Sequence, residues 1–479
     1  VAAVSFIGAG STVFARNLIS ELFAFEDLAG DLEFRLHDID PDRLKTSETV
    51  ARRIAESAGG DPQTIEATTD RRRALEGADY VITMFQVGGF EPATRIDFDL
   101  PEKYGLRQTI ADTLGIGGIM RGLRTVPELV AVAEDMAELC DSAVLLNYAN
   151  PMAINMWGLS ELADVEAYGL CHSVPLTARD LAADLDVPFE ELDYQVAGIN
   201  HMAFFLELSH RGQDLYPRLR ELYTDPAQAP VRGEWQLPDA VRYEMLRRLG
   251  YFVTESSEHF AEYTPYFIKR DRPDLLARFQ VPIREYVRRC EAQIADWEEL
   301  RRRLEDPWQE LIVPPTGEFA PQIIHSLETG AERTVYVNVA NAGLIDNLPE
   351  GCIVEVPATI RDGCITPAPM GTLPPQLAAL IRTNVSVQEL TVAALATGTR
   401  AHLHHAAMMD PPTAAELDLD QIRALVDELL EAHGDLIPEA LRPTASDLAP
   451  QRASEPHQSA DRQPASGPKG AGPDWKLTA

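Results

Sequence analysis

The chain has 479 residues, 45% of them hydrophobic, and a formal charge of −33 from 42 basic and 75 acidic side chains. A chain of this length buries sizeable cores and is expected to fold as two or more domains. So acidic a composition argues against a nucleic-acid backbone or an anionic membrane as partner. No apolar run approaches the length of a membrane span. The first ten residues read as a strand and a glycine turn, without the basic start and apolar centre of a signal peptide. Cys140, Cys171, Cys290, Cys352 and Cys364 are scattered, with no paired metal-finger spacing. The expected setting is a reducing cytoplasm.

Val1 to Ile7 is a continuous β-prone run, Gly8-Ala9-Gly10-Ser11 a glycine turn, and Val13 to Phe25 an amphipathic stretch. Strand, turn and helix in that order put the backbone N–H groups of Gly8, Gly10 and Ser11 at a helix N-terminus, where a pyrophosphate is favoured. The third fingerprint position holds Val13 where glycine is usual. A second strand, Glu33 to Leu36, leads into His37-Asp38. A carboxylate there accepts from both ribose hydroxyls of NAD and repels the extra phosphate of NADP. The structural alternative is that Asp38 caps the helix beginning near Pro41.

Ala78 to Gln86 and Ser142 to Asn150 stay apolar until a polar end, as buried parallel strands do, which points Gln86, Asn147 and Asn150 at a cofactor crevice. Between them Asp112 opens a glycine-rich loop, through Gly118, ahead of a helix bearing Arg121 and Arg124. Spacing does not decide whether Asp112 is catalytic or an N-cap. The expected fold class is α/β: a Rossmann-like doubly wound parallel sheet over residues 1–195, then an α+β substrate and oligomerisation domain over 196–442. A tail over 443–479, rich in Pro, Ser, Ala, Gly and Gln, is expected to be disordered.

Gly169-Leu170-Cys171-His172 and Gly198-Ile199-Asn200-His201 each follow an apolar run. Thiolate and imidazole both bind first-row divalent cations, although a lone cysteine is as easily a small buried hydrophobe. His402, His404 and His405 do not align on one helix face and are read as a helix-end cluster, not a metal site.

Phe6-Ile7-Gly8-Ala9-Gly10-Ser11, Asp112-Thr113-Leu114-Gly115, Asn147 to Pro151, Cys171-His172-Ser173-Val174, Gly198-Ile199-Asn200-His201 and Val337 to Val356 together resemble the family 4 glycoside hydrolases, which use NAD and a divalent metal. The resemblance spans residues 1–440. Cys171 to Val174, Phe252 to His259 and Leu344 to Pro349 are similar to the α-galactosidase (melibiase) type. The resemblance implies that Cys171 and His201 hold the metal, Mn²⁺, and that Asn150 and Arg95 contact the sugar. It places His172 as the acid near the leaving oxygen, with Asp112 assisting. The base is one of Glu255, Glu258, His259 and Tyr263, with Glu255 preferred.

The implied reaction on an unphosphorylated α-galactoside runs through oxidation at C3, deprotonation at C2, elimination, water addition and re-reduction. The implied assembly is a homodimer or homotetramer. Three rival readings are an α-glucosidase or uronidase of the same family, a 2-hydroxy-acid dehydrogenase that consumes NAD stoichiometrically, and a dinucleotide sensor without turnover.

Overall fold

Ala2–Ile7 (β1) is apolar except for Ser5, whose hydroxyl donates to the Ala74 carbonyl, and it is buried at every position on both faces, which a sheet covered by helices on each side requires. In the computed structural model, which describes residues 1–306, 308–311 and 317–443, β1 lies in the middle of a parallel half-sheet. Its strands are β2 (Leu32–His37), β3 (Ile65–Thr68), β4 (Tyr80–Thr83), β5 (Val144–Asn147) and β6 (Ala167–Gly169), in the order β3-β2-β1-β4-β5-β6. That is the doubly wound arrangement, with the strand order reversing between β1 and β4.

The sheet then continues antiparallel. It gains β7 (Leu192–Ile199), β8 (Met202–His210), β9 (Gln213–Asp214) and, after a separate hairpin of β10 (Val231–Arg232) with β11 (Leu237–Pro238), β12 (Phe252–Val253). β13 (Arg333–Ala340) joins the two halves by pairing Asn338 with Gly169 of β6, and β14 (Ile353–Arg361) pairs Glu355 with Gly198 of β7. β15 (Cys364–Pro367) lies beside β14. One 13-stranded sheet therefore runs through both expected domains. Residues 1–442 form one compact unit. The tail expected to be disordered falls outside the described residues beyond Pro443.

Neighbouring positions along a strand face opposite cores. Ile82 and Leu146 pack with Leu18, Ile54, Leu181 and Ile324 on one side, whereas Val81 and Leu145 pack with Leu129, Ile154 and Ile381 on the other. A third apolar cluster, including Leu123, Leu403, Leu425 and Leu429, ties the glycine-loop helix Gly115–Leu139 to the C-terminal helices. In the region where these elements meet sits a charged group removed from water. Arg124 is paired with Asp97 (Nη2 to Oδ2, 2.7 Å), which also accepts from His433 (2.8 Å), and all three side chains are at most 3% exposed.

Removing one member of such a group leaves an uncompensated buried charge, so Arg124→Met is expected to cost about 3–5 kcal/mol. Burial opposes ionisation of Asp97, but the charges of Arg124 and His433 hold its carboxyl below the usual range. Its contribution is therefore full above an unfolded pKa of about 3.9 and is lost as pH falls through the lower folded value. Urea unfolding from pH 7 to pH 3 should show the native chain losing this increment at the acid end, with an Asp97→Asn variant weaker at neutral pH and flatter in acid. Parallel pH profiles for the two proteins would rule out an ionised Asp97.

Candidate active site

The carboxyl ends of the parallel strands are in register: Ile7 pairs with His37 and Thr83, Thr83 with Asn147, and Asn147 with Gly169. The residues just beyond those ends consequently share one edge of the sheet. The glycine turn after β1 and Cys171 after β6 stand three strands apart, roughly 14 Å at the usual strand spacing.

At the first of these positions Gly8 adopts φ +99°, and a Cβ there would lie 2.9 Å from Phe85. The N–H groups of Gly8 and Ala9 both donate to the His37 carbonyl. The Gly10 N–H donates to Asp38 Oδ2 at 2.7 Å, and a Cβ on Gly10 would fall 2.6 Å from that oxygen. Ser11 is exposed at the start of the helix Thr12–Phe23 and makes no side-chain cap. Val13 is 39% exposed, so the absent third glycine removes no helix-on-strand packing. The capping alternative for Asp38 fails: Asp40 caps the helix Pro41–Ser57 through the N–H groups of Asp42 and Arg43. Asp38 is left half-buried at the end of β2, fixed by Gly10 and Asp40 N–H groups.

Two residues expected to face the crevice are used internally. Asn147 is wholly buried, accepting from Thr83 Oγ1 (2.9 Å) and Ala149 N–H (3.0 Å) and donating to the Ala149 carbonyl. It fixes the turn that presents Asn150. The Gln86 amide donates to Thr94 Oγ1 and the Gly89 carbonyl and accepts from the Tyr286 hydroxyl, holding the segment after β4. Arg95, expected on the sugar, instead makes ion pairs with Glu291, Glu91 and Asp99.

The remaining candidates converge. Cys171 Sγ lies 3.6 Å from His201 Nε2, and Glu255 Oε2 lies 3.2 Å from the same nitrogen. One donor atom from each of Cys171, His201 and Glu255 falls within 4.8 Å of the others, and Asp112, His201 and His259 form a second such group. His201 occupies the two-residue turn between β7 and β8 at φ +61°, left-handed backbone that costs a non-glycine residue about 1–2 kcal/mol. Its other ring nitrogen meets the Tyr263 hydroxyl at 3.2 Å, which fixes the imidazole's orientation.

Burial, reinforced by the charges of Glu355 and Glu255, pushes the Cys171 thiol up, so a cation arriving there displaces a proton. Burial opposes ionisation of Glu255, yet His201, His259 and the Ser256 N–H hold its carboxyl far below the usual range. Asp112 is similarly held down by His259, Arg121 and His201 against its own burial. It accepts from the Thr113 hydroxyl and from Asn150 Nδ2 (3.2 Å). It does not cap the helix that follows, whose N-cap position is Leu114. His172 stands apart, its side chain 55% exposed, with Nδ1 3.9 Å from Glu318 Oε1. It lines, with Glu255 and His259, a cavity of 200 Å³ beside the cluster.

Sequence reasoning missed two supports. Glu262 accepts from the N–H groups of Thr109, Ile110 and Ala111 and so fixes the loop leading into Asp112. Glu355, 1% exposed and pushed up to about 7 by burial, lies on β14 behind Cys171 with Asn338 3.4 Å away. Far from the cluster, His404 pairs with Asp427.

Residues 3–187 match the model of the family 4 glycosyl hydrolases, and residues 196–413 that of the family 4 glycosyl hydrolase C-terminal domain. An α-galactosidase of Bacillus subtilis is 44% identical over 436 residues, covering 91% of this chain and 99% of that protein. An α-galactosidase of Rhizobium meliloti is 34% identical over 447 residues, covering 91% and 89%. The fold is also that of a 6-phospho-α-glucosidase from gut microorganisms solved with NAD and Mn²⁺, at a TM-score of 0.76 and 20% identity over 91% of this chain and 99% of that one. With both family models matched across nearly all the described residues, the chain belongs to the family 4 glycosyl hydrolases.

Proposed function

We propose that the chain hydrolyses α-galactosides with NAD and Mn²⁺ as cofactors. The observation that carries this reading is the convergence of Cys171, His201 and Glu255 on the same sheet edge as the Gly10–Asp38 cradle. The donors suit both groups. The turn after β1 leads into the N-terminus of the helix Thr12–Phe23, where a pyrophosphate is favoured, and Gly10 leaves room for the Asp38 carboxylate that would take the ribose. A thiol and an imidazole leave coordination positions for sugar oxygens, with the carboxylate of Glu255 beside them.

When bound, the nucleotide supplies a hydride acceptor that is restored each turnover, and the cation supplies a Lewis acid for the ketone at C3. The protein's own part is acid–base work and placement. Glu255 is the base for C2, His172 gives its proton to the leaving oxygen, and Asp112 with Asn150 orients the ring. Among the described residues no helix is long and apolar enough to cross a membrane. The five cysteines are free, which supports a cytoplasmic setting, and assembly as a homodimer or homotetramer completes the proposal.

Incubation with p-nitrophenyl α-galactoside, catalytic NAD⁺, Mn²⁺ and a thiol reductant should release nitrophenolate without net NADH. Faster release from the α-glucoside or the α-galacturonide would reassign the sugar. Steady NADH formation with a 2-hydroxy acid, and no glycoside cleavage, would sink the reading.

A further inference from the structure

The cavity beside the metal group has two unlike walls. Glu255, Ser256 and His259 make a polar floor continuous with the cluster, and His172 stands at its exposed side. Trp235, Leu237 and Pro238 also line it, an apolar wall carried by the β10–β11 hairpin. Trp235 falls in the turn of that hairpin and is half-buried. Its indole is held by two cations, with the guanidinium of Arg288 at 4.8 Å and that of Arg289, itself part of the cavity lining, at 5.6 Å from the ring. Cation–π contacts of this kind fix the plane of an aromatic ring that would otherwise turn with its hairpin.

The charges around the cavity are closed upon one another. Arg289 pairs with Glu258 (2.6 Å) and Glu285 (2.9 Å). Arg242 is held by both oxygens of Asp239 (2.6 and 2.7 Å), and Arg232 pairs with Asp184 and with Asp239 (3.6 Å). Each arginine on the wall is thus matched by a carboxylate, and Asp180, 3.6 Å from Arg242, adds a further negative charge. A phosphate or carboxylate entering here meets no unpaired guanidinium among the described residues. A neutral ring fits the site: its C–H face is apolar enough to pack on an indole, and its hydroxyls reach the polar floor.

We propose that Trp235 and its hairpin form the subsite for the leaving group, with the indole packing on the face of an uncharged leaving sugar ring. The proposal rests on the glycosidase reading of the same centre. His172 assigns the cavity to the leaving side, because it belongs to the cavity lining and is the residue placed at the leaving oxygen. Trp235 acts here as a specificity-determining residue, without a part in bond breaking.

The test uses the holoenzyme, loaded with NAD⁺ and Mn²⁺, and two substrates that share a glycone: methyl α-galactoside, whose leaving group has no ring, and an α-1,6-linked galactosyl-glucose. Trp235→Ala is expected to lower kcat/KM for the disaccharide by about tenfold, mainly through KM, and to change the methyl glycoside by less than about twofold. Trp235→Phe should recover most of the loss. A disaccharide whose leaving ring is a uronic acid should be about tenfold poorer than its neutral counterpart on the native enzyme. Equal losses on both glycosides would place Trp235 at the glycone or in the fold and overturn the proposal, as would an unchanged disaccharide. Should neither galactoside react, the choice of galactose is what has failed. The matching α-glucosyl pair then tests Trp235 by the same criterion.

Discussion

Replacing Cys171 with serine is expected to lower Mn²⁺-dependent turnover by about 10³-fold or more while leaving the chain folded, because a Lewis-acid contribution of several kcal/mol corresponds to a loss of that order. The thiol is 6% exposed and lies within reach of both His201 and the Ser173 hydroxyl. Serine is close to it in size, so Leu170 and Val174, which pack into the core on either side, keep their places. What is lost is the soft, ionisable donor, since an alcohol gives up its proton far less readily than a thiol.

The loss should be confined to the metal. Equilibrium dialysis would show Mn²⁺ weakened at least about a hundredfold, while titration with NADH should give a Kd within about twofold of the native value, because the Gly10–Asp38 cradle lies three strands away. A variant that kept native turnover and native Mn²⁺ affinity would remove Cys171 from the metal group. Joint loss of NADH and Mn²⁺ binding would mean that the substitution had disturbed the sheet edge itself.

The parallel strands were legible because burial on both faces writes itself as an apolar run, broken only by Ser5 in Val4-Ser5-Phe6-Ile7 and unbroken in Val144-Leu145-Leu146. The residues after those runs were legible for the same reason, since a polar side chain that follows a buried strand must be doing something at its end. What a run does not disclose is which end groups are spent locally. Asn147 and Gln86 carry the same signal as Asn150, yet only Asn150 reaches Asp112, because the turns after β5 and β4 consume the other two amides.

Asp38 and Asp40 illustrate the converse. Both stand before a helix, and only the backbone direction assigns the cap to Asp40 and the glycine turn to Asp38. The antiparallel half was harder to read. Glu355 is one acid within an apolar strand, 184 residues from Cys171 in sequence, and its neighbourhood exists only once β14 has paired with β7. A carboxylate inside Val354-Glu355-Val356 was the signal that could have found it. Trp235 gave no periodic signal, because a two-residue strand is too short to have one.

Glu255→Gln separates the two roles that its position allows. Four groups were candidates for the base, and their surroundings are unequal. The Tyr263 hydroxyl is pushed well above its usual range by burial, with the nearby carboxylates adding to the effect, and is taken by His201. Burial works against a charged His259, but Glu255 and Asp112 raise its pKa and so favour the protonated form, which is not a base. Glu258 is matched by Arg289. Glu255 alone of the four is an ionised acceptor without a guanidinium partner, and its Oε2 lies 3.2 Å from His201 Nε2, beside the atoms proposed to hold the metal.

Glutamine keeps the shape and removes the basicity. Turnover is therefore expected to fall by about 10³-fold, and exchange of the C2 hydrogen with deuterated solvent should cease. Mn²⁺ affinity should move by no more than about tenfold. If instead Mn²⁺ affinity collapses and excess metal restores both turnover and exchange, Glu255 is a third ligand alongside Cys171 and His201. The proton at C2 would then have to go elsewhere, and Asp112, held ionised within the second group at His201, is the carboxylate positioned to take it.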